Sequence, residues 1–391
     1  MFAYAKNPIA IAIALIAIGI LGGLLARRLH TEPEARLTVC FTTAQNGNVS
    51  ADVECLRATV ISLLSRESAS AVMNYITAST SPAIVRTQCH EVAHVLGEEL
   101  YLKTPTLEQA LGACTTACSY GCIHGVVGAA VVKELGAATL DDEDIPHEDP
   151  KVIAEIGKKY CATGSALCHA IGHILYEKYS DYPDALKVCT EIGGTNQHRD
   201  GCYQGVFMES AGEKDSLLNK TPLAQIPGGD FAYPCDTIAP QYRNACFRYL
   251  PSFQRILYLA SSTPPQARLV QSKQICETFG GKDSNTCIEF IGYYHLTTFA
   301  GAAPSNTFCD AFTDAAEHRA CMTGIVLNHM DYFRYTSMPD YCATQTKDMT
   351  FCYDTAFAML RAAFSIKTIQ AQCDQSQHPD SCRTELAARS K

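Results

Sequence analysis

Two histidines and a glutamate recur at helical spacing in this chain. Cys89-His90-Glu91-Val92-Ala93-His94-Val95-Leu96-Gly97-Glu98 is answered by Cys168-His169-Ala170-Ile171-Gly172-His173-Ile174-Leu175-Tyr176-Glu177, and the shared skeleton is C-H-x-x-x-H-x-x-x-E. On a helix, positions i, i+4 and i+8 fall along one face, so each segment projects two imidazoles and a carboxylate in a row. The likeness continues downstream, where Gly121-Cys122-Ile123-His124-Gly125-Val126 matches Gly201-Cys202-Tyr203-Gln204-Gly205-Val206. A duplicated unit is expected, its two histidine helices facing each other. Imidazole and carboxylate donors suit a divalent or redox metal ion, with zinc, iron and copper all admissible. The candidate ligands are His90, His94, His169, His173, Glu98 and Glu177, with His124 completing the site or orienting a ligand. The competing reading is a set of structural histidines bonded to carbonyls inside apolar helices; recurrence of the pattern favours the metal.

The first copy taken alone, His90-Glu91-Val92-Ala93-His94, resembles the zincin metallopeptidases. That resemblance implies zinc on the two histidines and Glu91 as catalytic general base. It covers this stretch only. Leu100 stands where the longer metzincin pattern places its last ligand, so a third ligand would have to come from a later helix, with Glu134 the plausible position. Ala170 replaces Glu91 in the second copy, so the repeated element is the histidine pair and not the base. A c-type haem is excluded, because C-x-x-C-H occurs nowhere, whereas a non-covalent haem gripped by histidines of both copies stays open. The Glu-x-x-His order of the di-iron bundles is not matched. No P-loop, dinucleotide fingerprint or G-x-S-x-G elbow is present.

The elements that must position these groups read as helices throughout. Apolar residues recur at three and four over 51–77; Ser79 to Pro82 start the first histidine helix, which runs to about Leu102; Thr104-Pro105-Thr106 open the next; and Cys122 begins the helix of His124. Twenty cysteines signal an oxidising compartment. Seven pairs follow from proximity: Cys40/Cys55, Cys189/Cys202, Cys235/Cys246, Cys276/Cys287, Cys309/Cys321, Cys342/Cys352 and Cys373/Cys382. Alignment of the copies suggests Cys114 with Cys122, and the partners of Cys89, Cys118, Cys161 and Cys168 stay open. The expected fold is all-α, an array of αα-hairpins stapled by disulfides and solenoid-like, similar to Sel1-like and tetratricopeptide-type repeats in architecture only.

The expected organisation is a signal-anchor over 1–30, a first bridged hairpin over 31–80, copy one over 81–150, copy two over 151–215, and bridged hairpins over 216–391. Ile9 to Ala26 is an apolar run long enough to span a bilayer; a cleaved signal peptide is the rival reading. The acidic run from Asp141 to Pro150 reads as a solvated linker. With 40 acidic against 31 basic residues, a formal charge of −9 and no basic stripe, nucleic acid is not a partner. His198, His295, His318 and His329 lie outside the pattern and read as ordinary surface or helix residues. The expected partners are a metal ion, the membrane through the N-terminal segment, and a protein on the C-terminal repeats. The main alternative to a metal protein is a non-catalytic repeat protein for protein interaction.

Overall fold

The computed structural model describes residues 33–43, 49–77, 84–85, 88–115, 117–118, 120–136, 150–179, 181–211, 226, 229–331, 337–345 and 347–389. The expected membrane segment and the acidic linker fall outside the described residues. Among the described residues, no helix is long and apolar enough to cross a membrane. Among the described residues, the regular structure is helical apart from one antiparallel pair, β1 (Phe41–Thr43) and β2 (Val49–Ala51). In order, the α-helices are α1 (Pro33–Val39), α2 (Val53–Leu64), α3 (Ala69–Thr77), α4 (Cys89–Lys103), α5 (Leu107–Ala113), α6 (Gly121–Glu134), α7 (Pro150–Cys161), α8 (Ser165–Tyr179), α9 (Tyr182–Ile192), α10 (Asn196–Ser210), α11 (Arg243–Ala260), α12 (Pro265–Phe279), α13 (Gly281–Tyr293), α14 (Ala315–Asp331), α15 (Ser337–Ala343), α16 (Met349–Ala363), α17 (Ile366–Gln375) and α18 (Pro379–Ala388).

Side-chain caps set several boundaries. Asp52 accepts the Cys55 N–H at 3.0 Å to start α2, which buries Leu56, Val60 and Leu63 on one face. The single helix expected over 51–77 breaks at Ser65 to Ser68, where the Ser68 hydroxyl accepts the Ala71 N–H at 3.2 Å and restarts the chain as α3. Thr106, not Thr104, caps α5 by accepting the Gln109 N–H at 3.3 Å, while the Thr104 N–H closes α4 on the Leu100 carbonyl.

All twenty cysteines form ten disulfides and none is free. The seven proximity pairs and Cys114–Cys122 are among them; the remaining bridges are Cys89–Cys118 and Cys161–Cys168. Each closes a short segment and restricts the unfolded chain, worth about 3 kcal/mol for a loop of roughly fifteen residues. The bridges point to an oxidising compartment.

Three helix pairs cross with their backbones in contact, and glycines permit it. In α4/α6 a Cβ on Gly97 would overlap the Cys122 carbonyl, and one on Gly125 the His94 carbonyl. In α8/α10 Gly172 meets Cys202 and Gly205 meets His169 in the same way, and in α13/α14 Gly292 meets Cys321 and Gly324 meets Glu289. His94, His169 and Glu289 therefore hold equivalent places in three units. The register expected from the C-H-x-x-x-H alignment, His90 with His169 and His94 with His173, is displaced by one helical turn. Gly121 lies against the His90 carbonyl and its counterpart Gly201 against Ser165, so His90 answers Ser165. The cysteines agree, because Cys89 bridges forward to Cys118 while Cys168 bridges back to Cys161.

Helices α4, α6, α8, α10, α11, α13, α14 and α16 each pack on the next in this sequence. Two cores result. One runs from Leu37 to Val126 and the other from Val127 to Leu386, so α6 gives one face to each. His124 lies on this shared helix.

Candidate metal centre

The seam between the two cores gathers five imidazoles. Helix α4 supplies His90 and His94, α6 supplies His124, and α8 supplies His169 and His173. One helical turn separates the members of each pair, and ring centroids lie 4.8 Å apart for His90 and His94 and 4.9 Å for His169 and His173. His124 stands between the pairs, 5.4 Å from each of His90, His94 and His173 and stacked on His169 at 4.7 Å. His94 and His173 close the ring at 5.9 Å. Two groups of donor nitrogens form, His90/His94/His124 and His124/His169/His173, and within each all donor atoms lie within 4.8 Å of one another. These clusters can hold a metal ion, and His124 belongs to both.

Hydrogen bonds fix which nitrogen faces inward. His90 Nδ1 lies 2.8 Å from the Cys118 carbonyl, which can only accept, so Nδ1 carries the proton and Nε2 keeps a lone pair. The Cys89–Cys118 disulfide and left-handed backbone at Cys118 (φ 55°) and Tyr120 (φ 65°) set the loop that presents this carbonyl. His173 Nδ1 lies 2.8 Å from Glu209 Oε2 on α10, which leaves Nε2 as its donor atom in the same manner. Metal-bound histidines usually anchor their second nitrogen in this way. His90 Nε2, His173 Nε2 and His124 Nδ1 are buried with no hydrogen-bond partner among the described residues. An interior polar atom without a partner is costly, and each of the two donor groups contains such atoms, His90 and His124 in one and His124 and His173 in the other. His169 Nε2 lies 3.2 Å from the Met208 sulfur.

Burial also sets the charge. It lowers the pKa of His90 to about 4, against the opposing pull of the Cys118 carbonyl. Burial and the neighbouring imidazoles push His124 and His169 well below the ordinary histidine range. Neutral imidazole is the form that ligates metal, so protons compete weakly here.

Among the described residues, the carboxylates expected in the site join neither donor group. Glu98 pairs with Arg57 of α2 at 3.2 Å and belongs to neither donor group. The Glu177 side chain lies outside the described residues. Glu91 is buried on α4 beside the pair and is in neither donor group. Glu134 accepts from Tyr160 at 2.8 Å and from Lys159 at 2.5 Å, so it is not a third ligand. The imidazole rings contact one another directly across the two units, which leaves no slot for a porphyrin between them. His295, His318 and His329 are buried, the last two on α14, and His295 sits 6.4 Å from His329 with no three-donor group formed there among the described residues.

The sequence reading missed the surroundings. A cavity of about 560 Å³ opens beside the cluster, lined by His124, His169, Gln204, Met208 and Arg248 with several tyrosines. A positional signal was available: His124, Gln204 and Arg248 each stand two residues after the second cysteine of a bridge, Cys122, Cys202 and Cys246. No protein-family model, no curated protein and no solved structure matches this chain.

Proposed function

We propose that this protein is an extracytoplasmic metal-binding protein, tethered by its N-terminal apolar segment, whose polyhistidine centre binds a divalent or redox metal ion at the junction of two helical units. The observation that carries this reading is the pair of three-imidazole groups sharing His124, with buried, unpartnered nitrogens on His90, His124 and His173 and the tautomers of His90 and His173 set from behind by Cys118 and Glu209. Every cysteine is bridged, so thiolate is unavailable and the donors are nitrogen. Such a set suits zinc, copper or iron. Three histidines leave coordination positions for water or substrate, the arrangement of catalytic centres, and the adjoining cavity supplies access. The reading is therefore a metalloenzyme with its helical C-terminal half, a solenoid-like array, as scaffold and partner surface.

The test is elemental analysis of the protein secreted in oxidised form and never exposed to an affinity metal, beside a His124→Gln/His173→Gln variant of matching helicity. One or two equivalents of a single element, lost in the variant, are expected. A wild type that stays empty after titration with zinc, copper and iron would leave the interaction scaffold as the better account.

A peptidase is the second reading, favoured by one observation: His124 joins His90 and His94 in a three-nitrogen group beside buried Glu91. Loss of casein hydrolysis in Glu91→Gln, with metal retained, would establish it. Absence of any hydrolysis by the metal-loaded wild type would remove it.

A further inference from the structure

The cavity beside the histidine cluster has a composition that selects a ligand. Its volume of about 560 Å³ is in the range of small-molecule sites. His124 and His169, one from each helix α6 and α8, form part of its lining, so a bound molecule reaches the polyhistidine centre directly. Tyr249 of α11 and Tyr293 and Tyr294 at the end of α13 supply aromatic wall, with Leu167 and Met208 adding apolar surface. One lysine or arginine lines it, Arg248, and one carboxylate, Asp200.

Arg248 is held for this task. Its guanidinium lies over the rings of Tyr293 and Phe290, 5.5 and 5.7 Å from their centroids, which fixes a long side chain that otherwise has many rotamers. It is close enough to His169 for its charge to disfavour protonation of that imidazole. Glu289 of α13 lies outside the cavity lining, with its carboxyl raised by burial and drawn down by the charge of Arg248. Asp200 is occupied by amide donors, Gln204 Nε2 at 2.6 Å and Asn244 Nδ2 at 3.5 Å. Arg248 is the one cationic side chain of the lining, so one anionic group can be seated on it, and Asp200 disfavours a second negative charge. A planar carboxylate matches the paired N–H donors of a guanidinium, and tyrosine walls match a flat or apolar body.

We propose that this cavity binds a small organic monocarboxylate with an aromatic or apolar body, its carboxylate on Arg248 and its body among the tyrosines, extending toward His124 and His169. The proposal rests on the metal reading only for the chemistry done on the bound acid. Binding itself depends on Arg248 and the tyrosine wall.

Calorimetric titration of the full chain in detergent with 3-phenylpropionate, 3-phenylpropionamide and inorganic phosphate tests it, with metal content measured on every sample. The acid is expected to bind at least about tenfold more tightly than its amide, since a charge-assisted pair is lost. Arg248→Met is expected to lower acid affinity by about tenfold or more, to lower amide affinity by less, and to leave metal content unchanged. Equal affinity for acid and amide, no binding of the acid up to about 10 mM, or phosphate binding more tightly than the acid would each overturn the proposal. The comparison of acid with amide needs only wild type, so a misfolded variant does not rescue the idea. Acid binding by a protein that stays metal-free after titration with zinc, copper and iron would refute the metal reading and leave this one standing; a metal-loaded protein indifferent to the acid would do the reverse.

Discussion

The Glu209 carboxylate accepts the Nδ1 proton of His173 at 2.8 Å and so directs Nε2 of that ring toward His124 and His169. The first unit has no equivalent, because Ala129 stands at the corresponding place of α6 and a backbone carbonyl, that of Cys118, does the same for His90. A carboxylate behind a ligating imidazole raises its basicity and locks its orientation. Glu209→Ala is expected to weaken metal binding by about 10- to 100-fold, with Glu209→Gln, which keeps an acceptor oxygen, losing less. Competition against a chelator of known affinity measures both. Unchanged affinity in the alanine variant would remove His173 from the ligand set.

Acid should destabilise the metal-free protein in a defined window. Unfolded histidine protonates near its ordinary 6.5, whereas folded His90 resists until about 4 because its buried ring cannot be solvated as a cation. Between these values the unfolded chain binds more protons, so stability rises with pH there. It is complete above pH 6.5 and is lost as the pH falls toward 4, by roughly 3 kcal/mol for His90 alone. His124 and His169, also shifted downward, add to the slope. Denaturant titration of chelator-treated protein across this range gives the slope, and His90→Asn should flatten it.

The glycine crossings separate folding from metal binding. Gly205→Ala would drive a methyl group into the His169 carbonyl, and Gly324→Ala into that of Glu289. Each is expected to cost roughly 1 to 3 kcal/mol, overpacking outweighing the helix propensity gained. The first should also lower metal affinity by shifting α10, and with it Glu209, against α8. The second lies in the unit whose histidines, His318 and His329, join neither donor group, and should leave metal content unchanged. Thermal unfolding midpoints with elemental analysis distinguish the two.

Much of this centre was legible because histidine is rare in apolar helices and spacing by one turn survives in any helix. The helical class and most disulfides were legible for a similar reason: both are local. The register was not. Alignment anchored on Cys89 and Cys168 matches neighbouring letters, but the physical equivalence is set by which glycines face which carbonyls across a helix pair, and these contacts span some thirty residues of chain. Glu98 illustrates the same limit. Its i+8 position shares a face with His90, yet Arg57 from α2 lies alongside and takes the carboxylate. Glu98→Gln is accordingly expected to leave metal content unchanged. Arg248 carried only a positional signal, two residues after Cys246, with no histidine near it in sequence; the packing of α11 on α10 brings it to the cavity.

His124 has the widest consequence, because it is the member common to both three-nitrogen groups. Removing His90 leaves His124, His169 and His173, a complete set of three. Removing His124 leaves two separate pairs, below the three protein ligands usual for a catalytic zinc-type centre. Gln204, which already stands at the matching position of the second unit, shows that glutamine fits this helix crossing without disturbing it. His124→Gln is thus expected to fold and to lose metal altogether, whereas His90→Gln should retain at least one equivalent. Elemental analysis of the two single variants decides between shared and independent sites. Retention of metal in His124→Gln at the wild-type level would show that the pairs on α4 and α8 bind without the histidine between them.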